Sequence, residues 1–144
     1  MRNDIKSLEQ NAQLKEPTQD RTKEITLDEI SKDVVKNHLN SFLNNNLEAL
    51  MSDYTNESVL ITQDTTFTGI EEIRVFFAGL IMHFPQQMSN LALDKLVANN
   101  ELVYIVWHAK TPSLQVPIGS DTFIIKDSKI YQQTFVGQLN FINQ

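Results

Sequence analysis

The sequence predicts an α+β domain with its helices on one face of an antiparallel sheet, and three observations carry that prediction. Up to Pro85, apolar residues recur at helical spacing behind residues suited to capping helices. Beyond Met88 the chain reads as strands, with apolar and polar residues alternating. Short polar turns separate those strands, so neighbours pair antiparallel as a four-stranded meander.

A chain of 144 residues fits one domain with length to spare. Its 41% hydrophobic and 21% charged residues are an ordinary globular mixture. A net charge of −6 makes nucleic acid and anionic membranes poor partners. The absence of cysteine excludes disulfides, thiolate catalysis and zinc ribbons. No apolar run approaches the roughly 20 residues needed to span a bilayer. The N-terminus lacks an apolar signal core and a small-residue cleavage site, so a cytoplasmic location is expected. Residues 1–25 read as a flexible polar arm, where Pro17 interrupts any helix, and 26–144 as the domain.

Thr26-Leu27-Asp28-Glu29 is a capping box. Behind it Leu27, Ile30, Val34, His38 and Phe42 recur on one face of a long helix. Asn44-Asn45-Asn46 ends that helix, because asparagine tolerates the left-handed exit, and Asn46 caps a short second one. In that second helix Leu47, Leu50, Met51 and Tyr54 share a side, and Asp53 to Glu57 is a polar turn. A strand follows over 58–64. Thr68-Gly69-Ile70-Glu71 reads as a second capping box, opening a helix whose apolar face is Ile73, Phe77, Leu80, Ile81 and Phe84. The meander strands fall at 91–98, 101–110, 116–126 and 129–138, with turns at Asn99-Asn100, Thr111-Pro112-Ser113 and Asp127-Ser128.

Three stretches together resemble a known family. They are His38-Leu39-Asn40-Ser41-Phe42-Leu43-Asn44 running on to Met51-Ser52-Asp53-Tyr54, then Phe67-Thr68-Gly69-Ile70-Glu71-Glu72-Ile73-Arg74-Val75-Phe76-Phe77, then Asp121-Thr122-Phe123 with Asp127-Ser128-Lys129-Ile130. Their order and spacing resemble the SnoaL-like and ketosteroid isomerase-like branch of the nuclear transport factor 2-like superfamily, over residues 27–138. The resemblance implies a cone: a curved, mainly antiparallel sheet wrapped round a long N-terminal helix with two shorter helices. It also implies an apolar pocket for a small, largely apolar molecule and a homodimer formed through the sheet. Val97, Val103 and Ile105 are then expected on an outer face that needs cover.

Asp121 is the sharpest candidate. By alternation its carboxyl points where Phe123 and Ile125 point, which makes ionisation costly. In the isomerases it resembles, an aspartic acid at this place stays protonated and donates to a developing oxyanion. His38 lies in an apolar helix stripe, and an ungapped match puts it at the isomerases' oxyanion-hole tyrosine. A neutral imidazole can also donate one hydrogen bond. His38 and Asp121 are therefore the expected catalytic pair. The same match puts Thr62 at the isomerases' general base, which threonine cannot replace, so isomerase chemistry in its standard form is not expected; Asp64 is expected as a turn residue.

Tyr54, Thr62, Phe77, Trp107, His108, Phe123, Gln133 and Phe135 are the expected ligand contacts. For the 101–110 strand two readings stand. Composition buries the Val103, Ile105, Trp107 and Ala109 face, whereas matching to the isomerases turns His108 inward. His83 is accounted for by the negative end of its helix. The three histidines lack metal-ligand spacing, and no phosphate loop, nucleophile elbow or dinucleotide fingerprint is present, so no metal and no cofactor are expected. Two functions follow: an isomerase-, cyclase- or dehydratase-type enzyme using His38 and Asp121, or a binding or dimeric interaction module without catalysis.

Overall fold

The computed structural model describes residues 24–142, so the expected arm lies almost wholly outside the described residues. Three helices precede the body of the sheet: α1 (Leu27–Leu43), α2 (Leu47–Met51) and α3 (Ile70–Ile81). The strands are β1 (Val59–Thr62), β2 (Thr66–Thr68), β3 (Asn90–Asn99), β4 (Leu102–Lys110), β5 (Leu114–Lys126), β6 (Lys129–Gly137) and β7 (Asn140–Phe141). They form one sheet in the order β2-β1-β6-β5-β4-β3, with β7 added against the start of β5. The meander β3 to β6 is antiparallel, and β1 joins it parallel to β6. Among the described residues, no helix is long and apolar enough to cross a membrane.

Local sequence accounts for several boundaries. Thr26 Oγ1 accepts from Glu29 N at 3.1 Å while Thr26 N donates to Glu29 Oε1 at 3.3 Å, the reciprocal capping box. Asn45 takes the left-handed backbone (φ 53°) at the exit of α1, and Asn46 Oδ1 accepts from Ala49 N to start α2. Asp127 and Ser128 both have positive φ, as a two-residue hairpin turn matched to strand twist requires.

Other expectations are corrected. The second capping box does not form: Gly69 (φ 87°) is the N-cap of α3 and lends no side chain. Glu72, not Glu71, reaches back to Thr68 N at 2.8 Å. The buried stripe of α1 is Ser31, Val35, His38 and Phe42, a face rotated away from Leu27, which is exposed. Val103 and Ile105 are fully buried inside the cone, not on its outer face. Their strand turns Val103, Ile105, Trp107 and Ala109 inward, and only Val97 of the three expected residues is exposed.

The neighbouring strand β5 stays in phase with β4 through an irregularity. Ala109 pairs with Val116 but Trp107 pairs with Gly119, so β5 carries one extra residue around Pro117 and Ile118. A bulge adds local twist and bends the strand, and proline, lacking an N–H, suits a place where the ladder is broken. Past the bulge the inward residues of β5 are Gly119, Asp121, Phe123 and Ile125. Gly119 has a steric task there. A Cβ on it would stand 2.5 Å from Trp107 Cε2 and Cζ2, so glycine alone lets the indole lie flat across β5.

Candidate functional site

Inside the cone lies a cavity of about 40 Å³ lined by His38, Leu39, Phe42, Phe76, Phe77, Leu80, Leu91, Ile105, Trp107, Asp121, Phe123, Gln133 and Phe135. One water needs about 10–15 Å³ on this measure, so the open space holds a few water-sized groups. Leu39, Phe76, Leu80 and Leu91 are half-buried and form its rim, whereas the polar wall lies deep.

Three strands build that wall. Asp121 on β5 faces Phe135 on β6 in the antiparallel register, and the residue is 7% exposed. Trp107 Nε1 donates to Asp121 Oδ1 at 2.8 Å, from an indole stacked on Phe135. Gln133 Nε2 donates to Asp121 Oδ2 at 2.9 Å, and Tyr54 Oη donates to Gln133 Oε1 at 2.6 Å. The chain of donors thus runs from Tyr54 through Gln133 to Asp121, with Trp107 completing it from the other side. Every link is buried, where a polar group left unpaired costs about 1–3 kcal/mol.

Burial raises the Asp121 pKa by stripping water from the charged form; the Trp107 and Gln133 hydrogen bonds and the charge of His38 pull the other way without overcoming it. Burial also pushes the Tyr54 phenol well up, helped by the charges of Asp121 and Asp53. Tyr54 is therefore a hydrogen-bond donor and not a source of phenolate.

His38 stands on α1 at 3% exposure, clamped edge-on by Tyr54, Phe77 and Phe123 with ring centroids 5.6–5.8 Å away. Its Nδ1 lies 3.4 Å from Asp53 Oδ2, an ion-pair separation longer than a good N–H···O bond. Both atoms are buried and neither has another partner among the described residues. Sequence reasoning placed Asp53 in a polar turn and missed this contact. It spans 15 residues and depends on how α2 turns back beside α1. A carboxylate next to Tyr54, whose own ring faces inward, was the available signal.

Of the expected contacts, Phe77, Trp107, Phe123, Gln133 and Phe135 line the cavity with His38 and Asp121, and Tyr54 lies behind Gln133. Two are elsewhere. Thr62 ends β1, where its hydroxyl accepts from Asp64 N and Thr65 N and donates to Thr65 O; it is spent on the turn. His108 points outward and pairs with Asp94 at 2.8 Å, because β4 alternates without a break and Trp107 takes the inward position. His83 meets Ser113 Oγ at 3.1 Å and the Phe141 ring, away from the cavity. Among the described residues, no three histidine, cysteine or acidic side chains are grouped to hold a metal.

A proton-linked stability effect follows. Because the fold raises the Asp121 pKa, the folded chain keeps a proton there that the unfolded chain sheds above the ordinary value of 3.8. The stabilisation is fully present below that value and is lost as pH climbs through the raised folded value. Asp121→Asn cannot titrate. Urea midpoints measured at stepped pH should therefore show the wild type losing stability relative to the variant from about pH 4 upward. A difference that stays level or grows with pH would contradict the raised value.

No family model matches the sequence, and no curated protein matches it. Solved structures do match. A ketosteroid isomerase-like protein from Kribbella flavida DSM 17836 superposes with a TM-score of 0.66 at 10% identity, over 84% of this chain and 87% of that one. A SnoaL-like polyketide cyclase structure from Shewanella denitrificans OS-217 gives 0.64 at 13% identity, covering 76% and 90%. An epoxide hydrolase of the LEH-like kind from M. tuberculosis gives 0.62 at 12%, covering 77% and 84%. At such identities the likeness speaks for the fold and leaves the chemistry to the residues. The chain has the cone fold of the nuclear transport factor 2-like proteins, in the form seen in ketosteroid isomerase-like and SnoaL-like structures.

Proposed function

We propose that this chain is a SnoaL-like pocket protein for a compact, largely apolar molecule bearing an oxygen acceptor, with Asp121 and His38 acting on it. The observation that carries this reading is Asp121: a buried carboxyl on the cavity wall whose hydrogen-bond donors, Trp107 and Gln133, are both neutral. Burial favours its uncharged form, which can donate to a carbonyl oxygen and more strongly to a developing oxyanion. His38 lines the same cavity, with its Nδ1 turned to Asp53. A neutral imidazole there can accept a proton. A donor and an acceptor across one apolar cavity suit isomerisation, cyclisation or dehydration of a carbonyl compound. The cyclase and isomerase names of the structural neighbours accord with that chemistry.

A second reading, ligand binding without turnover, is favoured by Thr62. Nothing basic stands where the resemblance puts the isomerases' base, and the threonine hydroxyl is engaged in a turn. The same Asp121 donor would then orient a ligand that is never transformed.

A panel of small cyclic ketones and phenols separates these outcomes. Compact members should raise the melting temperature of the wild type, and Asp121→Asn, whose amide is a weaker donor, should bind them about 3- to 10-fold more weakly. The reading fails if nothing in the panel binds, or if the variant binds as well as the wild type. Turnover of a bound ketone, followed by exchange of its α-protons with deuterium, selects the enzymatic reading.

The outer face of the sheet suits a second copy of the chain. Ile61, Val97, Leu102, Tyr104 and Val136 are all exposed there, a mixed apolar surface that self-association would cover. Light scattering at micromolar concentration should give about twice the 16.5 kDa chain mass. A monomer mass would remove the dimer from the account.

A further inference from the structure

The cavity has a back door made of two side chains. His38 lines the cavity and brings its Nδ1 to 3.4 Å from Asp53 Oδ2. Asp53 in turn lies on the floor of a separate outer groove of about 330 Å³, beside Asp33, Asn37 and Ser128. Its side chain is 18% exposed against 4% for His38, so the carboxylate bridges the dry ring and the solvent. The other polar route from the cavity stops inside the protein. It runs from Asp121 through Gln133 to Tyr54, whose ring is buried between His38 and Phe77.

We infer that Asp53 is the positioning residue of His38: it fixes the imidazole proton on Nδ1 and so aims the Nε2 lone pair into the cavity. A histidine left to itself favours the opposite tautomer, with the proton on Nε2, which would present a donor to the cavity and no base. Two donors would then face each other, the imidazole N–H and the Asp121 carboxyl, with nothing to receive a proton. A carboxylate 3.4 Å from Nδ1 reverses that choice, because its negative charge favours the proton on the nearer ring nitrogen. Asp53 Oδ2 is the ion-pair partner of Nδ1, and neither atom has a hydrogen-bond partner among the described residues. The three aromatic rings around His38 prevent a ring flip from exchanging the two nitrogens at no cost. Asp33 shares the groove but makes no contact with His38, which makes it a control.

This inference rests on the reading of His38 as the proton-accepting group of the cavity, yet its test does not pass through ligand binding. Ring-nitrogen NMR on ¹⁵N-histidine-labelled protein, above the pH at which His38 loses its charge, reports directly which nitrogen is protonated. In the wild type the expected answer is Nδ1. Asp53→Leu should return His38 to the Nε2-protonated form; Asp33→Asn should change nothing. A wild type protonated on Nε2 overturns the inference outright, whether or not the leucine variant folds. So does an Asp53→Leu protein that keeps its proton on Nδ1. Either result leaves Asp121-dependent ligand binding standing or falling on its own measurement.

Discussion

An aspartic acid in an apolar interior is the constraint around which the rest of this cone is arranged. Asp121 is sealed under Phe123, Phe135 and Trp107, where an ionised carboxyl is costly. The fold answers with neutral donors, an indole N–H and an amide N–H, and brings no lysine or arginine to the site. Neutral donors satisfy the oxygens of the acid without stabilising its charge as strongly as a cation would. The outcome is a buried carboxyl whose protonated form the site favours.

Several backbone features read as consequences of that need. Trp107 reaches Asp121 only because the bulge in β5 puts Gly119 opposite it, and only because Gly119 has no side chain to hold the indole off. Gln133 reaches it because β5 and β6 pair tightly through the Asp127-Ser128 turn. Tyr54, carried by the turn after α2, closes the chain of donors by occupying the amide oxygen. Removing any of these would leave a buried polar atom unpaired, which is how a network of this kind specifies one arrangement of strands.

Much of the fold was legible because it is locally encoded. The capping box at Thr26, the asparagines after α1 and the positive-φ turn at Asp127-Ser128 act within four residues of themselves. Strand alternation sufficed to turn Asp121 inward beside Phe123 and Ile125. What escaped was set at a distance. The parallel pairing of β1 with β6 joins residues more than 70 apart, and no turn announces it. Of the two readings of the 101–110 strand, the one from composition holds, with Trp107 inward. The extra residue near Pro117 in β5, which keeps both Val116 and Gly119 inward, went unread. Asp53 looked like a turn residue because only the packing of α2 beside α1 brings it to His38. Glu71 lost its capping role to Glu72 because Gly69, at φ 87°, starts the helix one residue later than the motif implied.

If the site works as described, everything turns on whether the Asp121 carboxyl is neutral under conditions where ordinary carboxylates are charged. Carboxyl ¹³C NMR on aspartate-labelled protein, with the Asp121 signal identified by its loss in Asp121→Asn, measures this without ligand or assay. That signal should stay in its protonated position as pH rises past about 4 and move only above the usual aspartate range. A signal that titrates with the exposed aspartates, or below them, would mean that Trp107 and Gln133 hold a charged carboxylate, and the proposed donor would not exist.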